Sequence, residues 1–183
     1  MQYCTSNDSK LYQITTLAKK NIRIPKSQIL AKTPLSKLQD IRCIFKSLGS
    51  IRSIVTEYEH HLYSSTITYE PVLFQELLLG ENIRVHVIKN KCFATLIKSE
   101  KIDYRYDYDN RTFLDYDLPQ IIKEECILIA KNMSLTFCGI DLIKYQSFYY
   151  ILEVNPSPGY SFYEKNLLHK DISTALMEAL SNL

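Results

Sequence analysis

Asp141, Glu153 and Asn155 put three oxygen-bearing side chains into two short apolar runs, Gly139-Ile140-Asp141-Leu142 and Leu152-Glu153-Val154-Asn155, the second followed by Pro156-Ser157-Pro158-Gly159. The stretch between them, around Gln146-Ser147-Phe148, has turn character, so the runs read as the arms of a β-hairpin. Side chains alternate faces along a strand, which places Glu153 and Asn155 on one face. If Tyr145 pairs with Tyr149, Asp141 falls opposite Glu153. Like charges directly opposed across a ladder, roughly 4.5–5.5 Å apart at Cβ, repel each other. A hard dication neutralises such a pair, and Asp, Glu and Asn are ligand types that magnesium takes. Each acid alone has a plainer reading as a solvated strand end, and Asn-Pro-Ser-Pro-Gly is good turn chemistry. The three ligand types together, flanked by Ile140, Leu142, Leu152 and Val154, favour the metal. A slip of one residue would send the acids to opposite faces.

Several elements must position these groups. Leu11, Ile14, Leu17 and Ala18 recur at helical spacing after the capping region Asn7-Asp8-Ser9. Thr33-Pro34 opens a short helix through Leu38. Residues 42–47 and 51–56 are β-rich and flank Leu48-Gly49-Ser50, which reads as a tight hairpin loop. Residues 57–70 read as an edge or a loop, and Val72 to Glu76 as an apolar strand. Ile83 to Ile88 and Cys92 to Ile97 form a second hairpin across Lys89-Asn90-Lys91. Asp103 to Asp117 alternates Tyr with Asp and reads as a long functional loop. Pro119 starts a helix with the stripe Ile122, Cys126, Ile129 and Met133. A final helix uses Leu168, Ile172, Ala175, Leu176, Ala179 and Leu180. Hairpins with helices packed on antiparallel strands define an α+β class.

Composition narrows the partners. A chain of 183 residues with a net charge of +2 has no mandate for nucleic acid, and Lys19, Lys20, Arg23, Lys26 and Lys32 read as a solvated face. The Tyr-rich segment carries Asp, the wrong sign for phosphate contacts. No run approaches the roughly 18 apolar residues of a membrane helix, and the polar start shows no signal-peptide pattern. Five scattered cysteines without CxxC spacing suit packed thiols in a reducing, cytoplasmic setting. His60, His61, His86 and His169 lack the offsets of a zinc site.

The order of these parts resembles the ATP-grasp ligases from about Lys10 onward. The resemblance is closest to the microviridin-type peptide ligases, which form ω-esters or amides, and to the ribosomal-protein glutamate ligases. Gly-Ile-Asp-Leu followed by Leu-Glu-Val-Asn-Pro-Ser-Pro-Gly stands where that family places its magnesium ligands. The resemblance implies an ATP-grasp fold: residues 1–72 as an N-terminal helix and central lid subdomain, and residues 73–183 as the C-terminal subdomain with the metal site. The N-terminal domain that usually comes first in the family would be missing. ATP and two magnesium ions, with manganese as a substitute, are the implied cofactors, the ions held by Asp141, Glu153 and Asn155.

On the same grounds Lys10 and Lys46 match phosphate-binding lysines, and Gln75, Glu76, Leu77 and Leu78 a hinge whose backbone holds the adenine edge. Asn82, Arg105 and Asp107 match positions near the ribose and phosphates, and Arg84 or Arg105 would stabilise the oxyanion formed at an acyl phosphate. Lysine suits a phosphate as a compact point charge. Two departures stand out: the lid has one glycine, and Asn82 replaces an acid of the glutamate-ligase branch. The implied activity joins a carboxylate, activated by ATP, to an amine or hydroxyl on a ribosomal peptide. The implied partners are a peptide or protein substrate and either a chain supplying the missing domain or a second copy. The rival is a truncated, non-catalytic module that binds nucleotide or a leader peptide, with the edge of the Ile83–Ile97 hairpin free to add a peptide strand.

Overall fold

A computed structural model describes residues 7–31, 42–48, 56–57, 71–101, 104–107, 109–166 and 171–181. The expected helix at 33–38, residues 49–52 of the lid and residues 58–70 lie outside the described residues.

The described chain builds two antiparallel sheets. The smaller contains β1 (Ser27–Leu30), β2 (Cys43–Ser47), β3 (Thr56–Glu57) and β4 (Val72–Glu76), in the order β1-β4-β2-β3. The larger contains β5 (Glu81–Ile88), β6 (Lys91–Lys98), β7 (Thr112–Asp115), β8 (Phe137–Tyr145) and β9 (Phe148–Asn155), in the order β7-β6-β5-β8-β9. Four helices accompany them: α1 (Lys10–Lys19), α2 (Gln120–Asn132), α3 (Ser161–Asn166) and α4 (Ile172–Ser181). The chain crosses from one sheet to the other at residues 77–80. Val72–Glu76, beside the boundary expected at residue 72, pairs with both β1 and β2 in the smaller sheet. Helix α1 belongs with the larger sheet, since Leu17 packs in that sheet's core.

The two faces of the larger sheet differ, and strand periodicity shows why. Ile83, Val85 and Val87 of β5 with Ile140 and Leu142 of β8 point to one face, where they meet Cys126, Ile129, Ala130 and Met133 of α2. Burying each such aliphatic side chain stabilises the fold by roughly 1.5–3 kcal/mol. The opposite face carries Asn82, Arg84, His86 and Ile88 on β5. Helix α4 covers its far end through Ile172, Ala175 and Ala179 against Ile88 and Phe137. The rest of that face is a cleft.

Three elements differ from the sequence reading. Strand β1 was not foreseen, for Pro25 reads as punctuation. The described residues of the 103–117 segment hold regular structure, a 3-10 turn at Tyr104–Tyr106 and β7, paired to β6 through Ile97↔Phe113. The β5–β6 hairpin is flanked on both sides, because β8 pairs along β5 and β7 pairs with residues 95–98 of β6. The sheet's outer strands are β7 and β9. The edge expected to take a peptide strand is thereby covered along residues 95–98.

Candidate functional site

The β8–β9 hairpin brings the two acids together by an unforeseen route. Its turn is Gln146-Ser147, so Tyr145 pairs with Phe148 rather than Tyr149. A bulge then shifts the register by one: Leu142 pairs with Ile151, but Asp141 pairs with Glu153. The shorter turn and the extra residue cancel, and Asp141 and Glu153 face each other as the sequence led us to expect. The bulge has an energetic rationale. It lets Ile151, only 1 % exposed, enter the core while Leu152 turns to line the cleft.

The edge of β9 is closed by a side chain. Gln13 of α1 donates from Nε2 to the Val154 carbonyl at 2.7 Å, and the Val154 amide donates to Gln13 Oε1 at 2.9 Å. One buried amide thus replaces a neighbouring strand at the residue between Glu153 and Asn155. In the sequence, Gln13 looks like an interruption of a helical stripe, yet it is 3 % exposed while Leu11 is 44 % exposed. The Asn155 Oδ1 accepts from the Ser157 amide at 2.9 Å, which fixes its rotamer.

Arg84 is the cation that meets Asp141. It pairs across β5–β8 with Asp141. Its Nη2 donates to Asp141 Oδ2 at 3.0 Å, and its Nε lies 2.7 Å from Oδ1 as an ionic contact off the hydrogen-bond line. Burial opposes the guanidinium charge, and Asp141 together with Tyr104 and Tyr163 more than offsets this, so the Arg84 pKa lies above its ordinary range. Its Nη2 also meets the Tyr104 hydroxyl at 3.4 Å, and its Cζ lies 5.7 Å from the Tyr163 ring centroid. Gly139 makes this approach feasible. A Cβ there would stand 2.6 Å from Arg84 Nη1 and 2.8 Å from Pro158 Cβ. On the other side of the hairpin, Lys10 Nζ, at the start of α1 after the Ser9 cap, lies 3.9 Å from Glu153.

His86 is the residue that sequence reasoning set aside. It is fully buried two positions along β5 from Arg84, and its Nε2 is 3.3 Å from the Gly159 carbonyl. Its ring packs edge-on against Tyr163 at 4.9 Å. Burial lowers its pKa to about 4, with Arg84 adding to the effect and the Gly159 contact opposing it, so the ring is neutral near pH 7. It ties down the Pro-Ser-Pro-Gly segment that follows Asn155. The polar alternation Asn82, Arg84, His86 is the signal that would have found it.

Asp141, Glu153, Asn155, Arg84 and Lys10 line one cleft of about 850 Å³ between the sheets, which also contains Lys46, Gln75, Leu77, Leu78 and Asn82. Lys46 of β2 is 7 % exposed and donates to Gln75 Oε1 at 2.9 Å. In the hinge, the Glu76 amide donates to the Lys26 carbonyl and the Leu77 amide to the Arg42 carbonyl, each at 2.8 Å. Those two donors are therefore occupied within the protein. Asp107 is placed elsewhere: it is absent from the cleft lining, and its carboxylate accepts from Ser99 Oγ at 2.7 Å and the Glu100 amide at 3.0 Å. The Ser99 hydroxyl foremost holds that carboxyl below its usual range. Only the backbone of Arg105 lies among the described residues.

The donor set fits a hard dication. Two carboxylates and an amide oxygen converge on one wall, with lysines positioned for anionic oxygens beyond it. Among the described residues no group of three or more His, Cys, Asp and Glu side chains forms a metal cage. Asp141, Glu153 and Asn155 would therefore hold the ion as an open site completed by a ligand's oxygens, as magnesium prefers. Among the described residues, no helix is long and apolar enough to cross a membrane.

Two sheets gripping a cleft, with acids on the β8–β9 hairpin and lysines opposite, define the ATP-grasp fold. The sequence profile of the RimK-like ATP-grasp domain matches residues 7–180, and the chain belongs to that family. A relative from Vibrio atlanticus named "Probable alpha-L-glutamate ligase" is 25% identical over 192 residues, covering 92% of this chain and 62% of that protein. The solved structure of the ATP-grasp ligase PsnB complexed with minimal precursor superposes with a TM-score of 0.83 at 25% identity, over 98% of this chain and 61% of that one. A RiPP-associated ATP-grasp ligase from Chryseobacterium gregarium, in complex with ADP and a leader and core peptide, gives a TM-score of 0.84 at 19% identity, covering 100% and 62%. The chain spans about six-tenths of the length of these proteins.

Proposed function

We propose that this chain is the ATP-grasp part of a ligase that uses ATP and two magnesium ions to activate a carboxylate as an acyl phosphate. An amine or hydroxyl then displaces phosphate, and the substrate is an acidic side chain of a ribosomal peptide. The observation that carries the reading is the direct opposition of Asp141 and Glu153, ringed by Arg84, Lys10 and Lys46 at one cleft. Phosphoryl transfer is dominated by positioning and charge neutralisation, and this site is rich in both.

Each residue has a task in that reaction. Lys46, anchored by Gln75, and Lys10 bind phosphate oxygens on the two sides of the cleft. Leu77, Leu78 and Leu152 wall the base, with hinge backbone at its edge. Magnesium, when bound to Asp141, Glu153 and Asn155, neutralises the triphosphate and orients its terminal group. Arg84 stands beside Asp141 where charge develops as a nucleophile adds to the acyl carbon. The peptide substrate is supported by the named ligands of PsnB and of the Chryseobacterium enzyme.

ADP release with magnesium and an acidic peptide provides the test. The wild type should turn over, and Asp141→Asn with Glu153→Gln should lose about a hundredfold or more in rate. Turnover that survives both substitutions would remove the metal assignment. Wild-type protein that binds nucleotide without ever releasing ADP would remove the ligase assignment.

A further inference from the structure

Ser99, Glu100, Lys101, Tyr104 and Asp107 have no task in the chemistry above, yet they interlock so that a hydroxyl stands beside Arg84. Asp107, 2 % exposed, accepts from Ser99 Oγ at 2.7 Å and from the Glu100 amide at 3.0 Å, which ties it to the end of β6. Its own amide donates to the Tyr104 carbonyl at 3.2 Å and closes the 3-10 turn Tyr104–Tyr106. Lys101 Nζ donates to the Tyr106 carbonyl at 2.9 Å. The turn held in this way puts Tyr104 on the cleft wall, where its hydroxyl accepts from Arg84 Nη2 at 3.4 Å. A guanidinium only donates, so the phenol oxygen is the acceptor. Burial foremost, then the charge of Asp141, pushes the Tyr104 hydroxyl above its ordinary range and keeps it neutral. Tyr163 covers the same guanidinium, its ring centroid 5.7 Å from Arg84 Cζ. That ring is itself fixed edge-on to His86 at 4.9 Å and to Phe113 at 5.6 Å.

Arg84 therefore has two holds. One is Asp141, which is also a proposed metal ligand, so an ion there would draw on the carboxylate that the guanidinium needs. The other is a phenol oxygen and a ring face, which stay with the guanidinium however the carboxylate is shared. We propose that Tyr104, backed by Asp107, is a positioning residue for Arg84: with Tyr163 it keeps the guanidinium in place when Asp141 is shared with a cation. This rests on the ligase reading for the work done at Arg84. Tyr104 acts through that arginine and stands apart from the reacting atoms. Asp107, expected beside the nucleotide, serves the cleft from behind by fixing the turn that carries Tyr104.

Arginine side-chain NMR on the full chain, with Arg84 assigned by its loss in Arg84→Lys, reads rotation of the guanidinium without any ligand. Tyr104→Phe removes the oxygen and keeps the ring; it should speed that rotation about tenfold, and Asp107→Asn should move it in the same direction. In Tyr104→Phe the kcat for ADP release should fall about tenfold, with the KM for ATP and the melting temperature kept. The same substitution should cost nothing further in the Arg84→Lys background. Unchanged rotation in Tyr104→Phe, or an equal loss of kcat in both backgrounds, would overturn the proposal. Should Tyr104→Phe melt early, Asp107→Asn carries the same comparison. Wild-type protein that turns over, with a rotation indifferent to Tyr104, sinks the positioning role alone. Wild-type protein that releases no ADP, yet whose Arg84 rotation depends on Tyr104, sinks the ligase reading and leaves the second hold standing.

Discussion

At the scale of single residues, Gly139 shows how the site depends on what is missing from a side chain. Arg84 reaches Asp141 by passing over the backbone of β8, where a methyl group would stand 2.6 Å from its guanidinium. Gly139→Ala should leave a folded protein, destabilised by about 1–3 kcal/mol through overpacking, with ADP release reduced at least about tenfold. Thermal melting and turnover measured side by side check this, and full activity in the variant would show that Arg84 does not need its present path. The acids themselves were legible in the sequence because their chemistry is written in their types. Arg84 was legible only as a cation. That it neutralises Asp141 depends on the β5–β8 register, which no local pattern encodes.

At the scale of elements, the β8–β9 hairpin is held from outside by α1. Gln13 satisfies both backbone groups of Val154, and the Ile151 amide donates to the Arg23 carbonyl at 2.9 Å, so the edge strand that carries Glu153 and Asn155 is pinned at two points. Replacing Gln13 with Leu leaves a buried N–H and C=O without their partner, which costs about 3 kcal/mol. Hydrogen exchange at the Val154 amide should accelerate in step with the loss in denaturation midpoint; unchanged protection would mean that another group closes the edge. Apolar periodicity revealed α1 but oriented it imperfectly, because a buried glutamine carries no hydrophobic signal. The hairpin was foreseen for the right pair and the wrong reason, since alternation counts faces but cannot see a bulge. Strand β7 was hidden among Tyr and Asp, whose types speak for loops until β6 offers a ladder.

At the scale of the whole molecule, stability and site share the cleft-side face of β5. His86 has a folded pKa of about 4 against 6.5 in the unfolded chain. Between those values the unfolded state holds a proton that the native state refuses, so stability is complete above about 6.5 and is lost as pH falls towards 4. The wild type should therefore lose about 3 kcal/mol more between pH 7 and pH 4 than a His86→Phe variant, read from urea midpoints. Parallel losses in the two proteins would show that His86 is solvated or paired. The ATP-grasp architecture was recognisable from motif order alone. The place of β4 was less legible: an apolar strand at Val72 to Glu76 does not name its partners, and its ladders with β1 and β2 make it an inner strand of the smaller sheet.

The ion pair between Arg84 and Asp141 carries a kinetic corollary for the proposed chemistry. A carboxylate already compensated by a guanidinium offers a bare dication little gain, so magnesium should enter as a complex with its nucleotide and seldom ahead of it. Order of arrival would then be written into one contact between neighbouring strands.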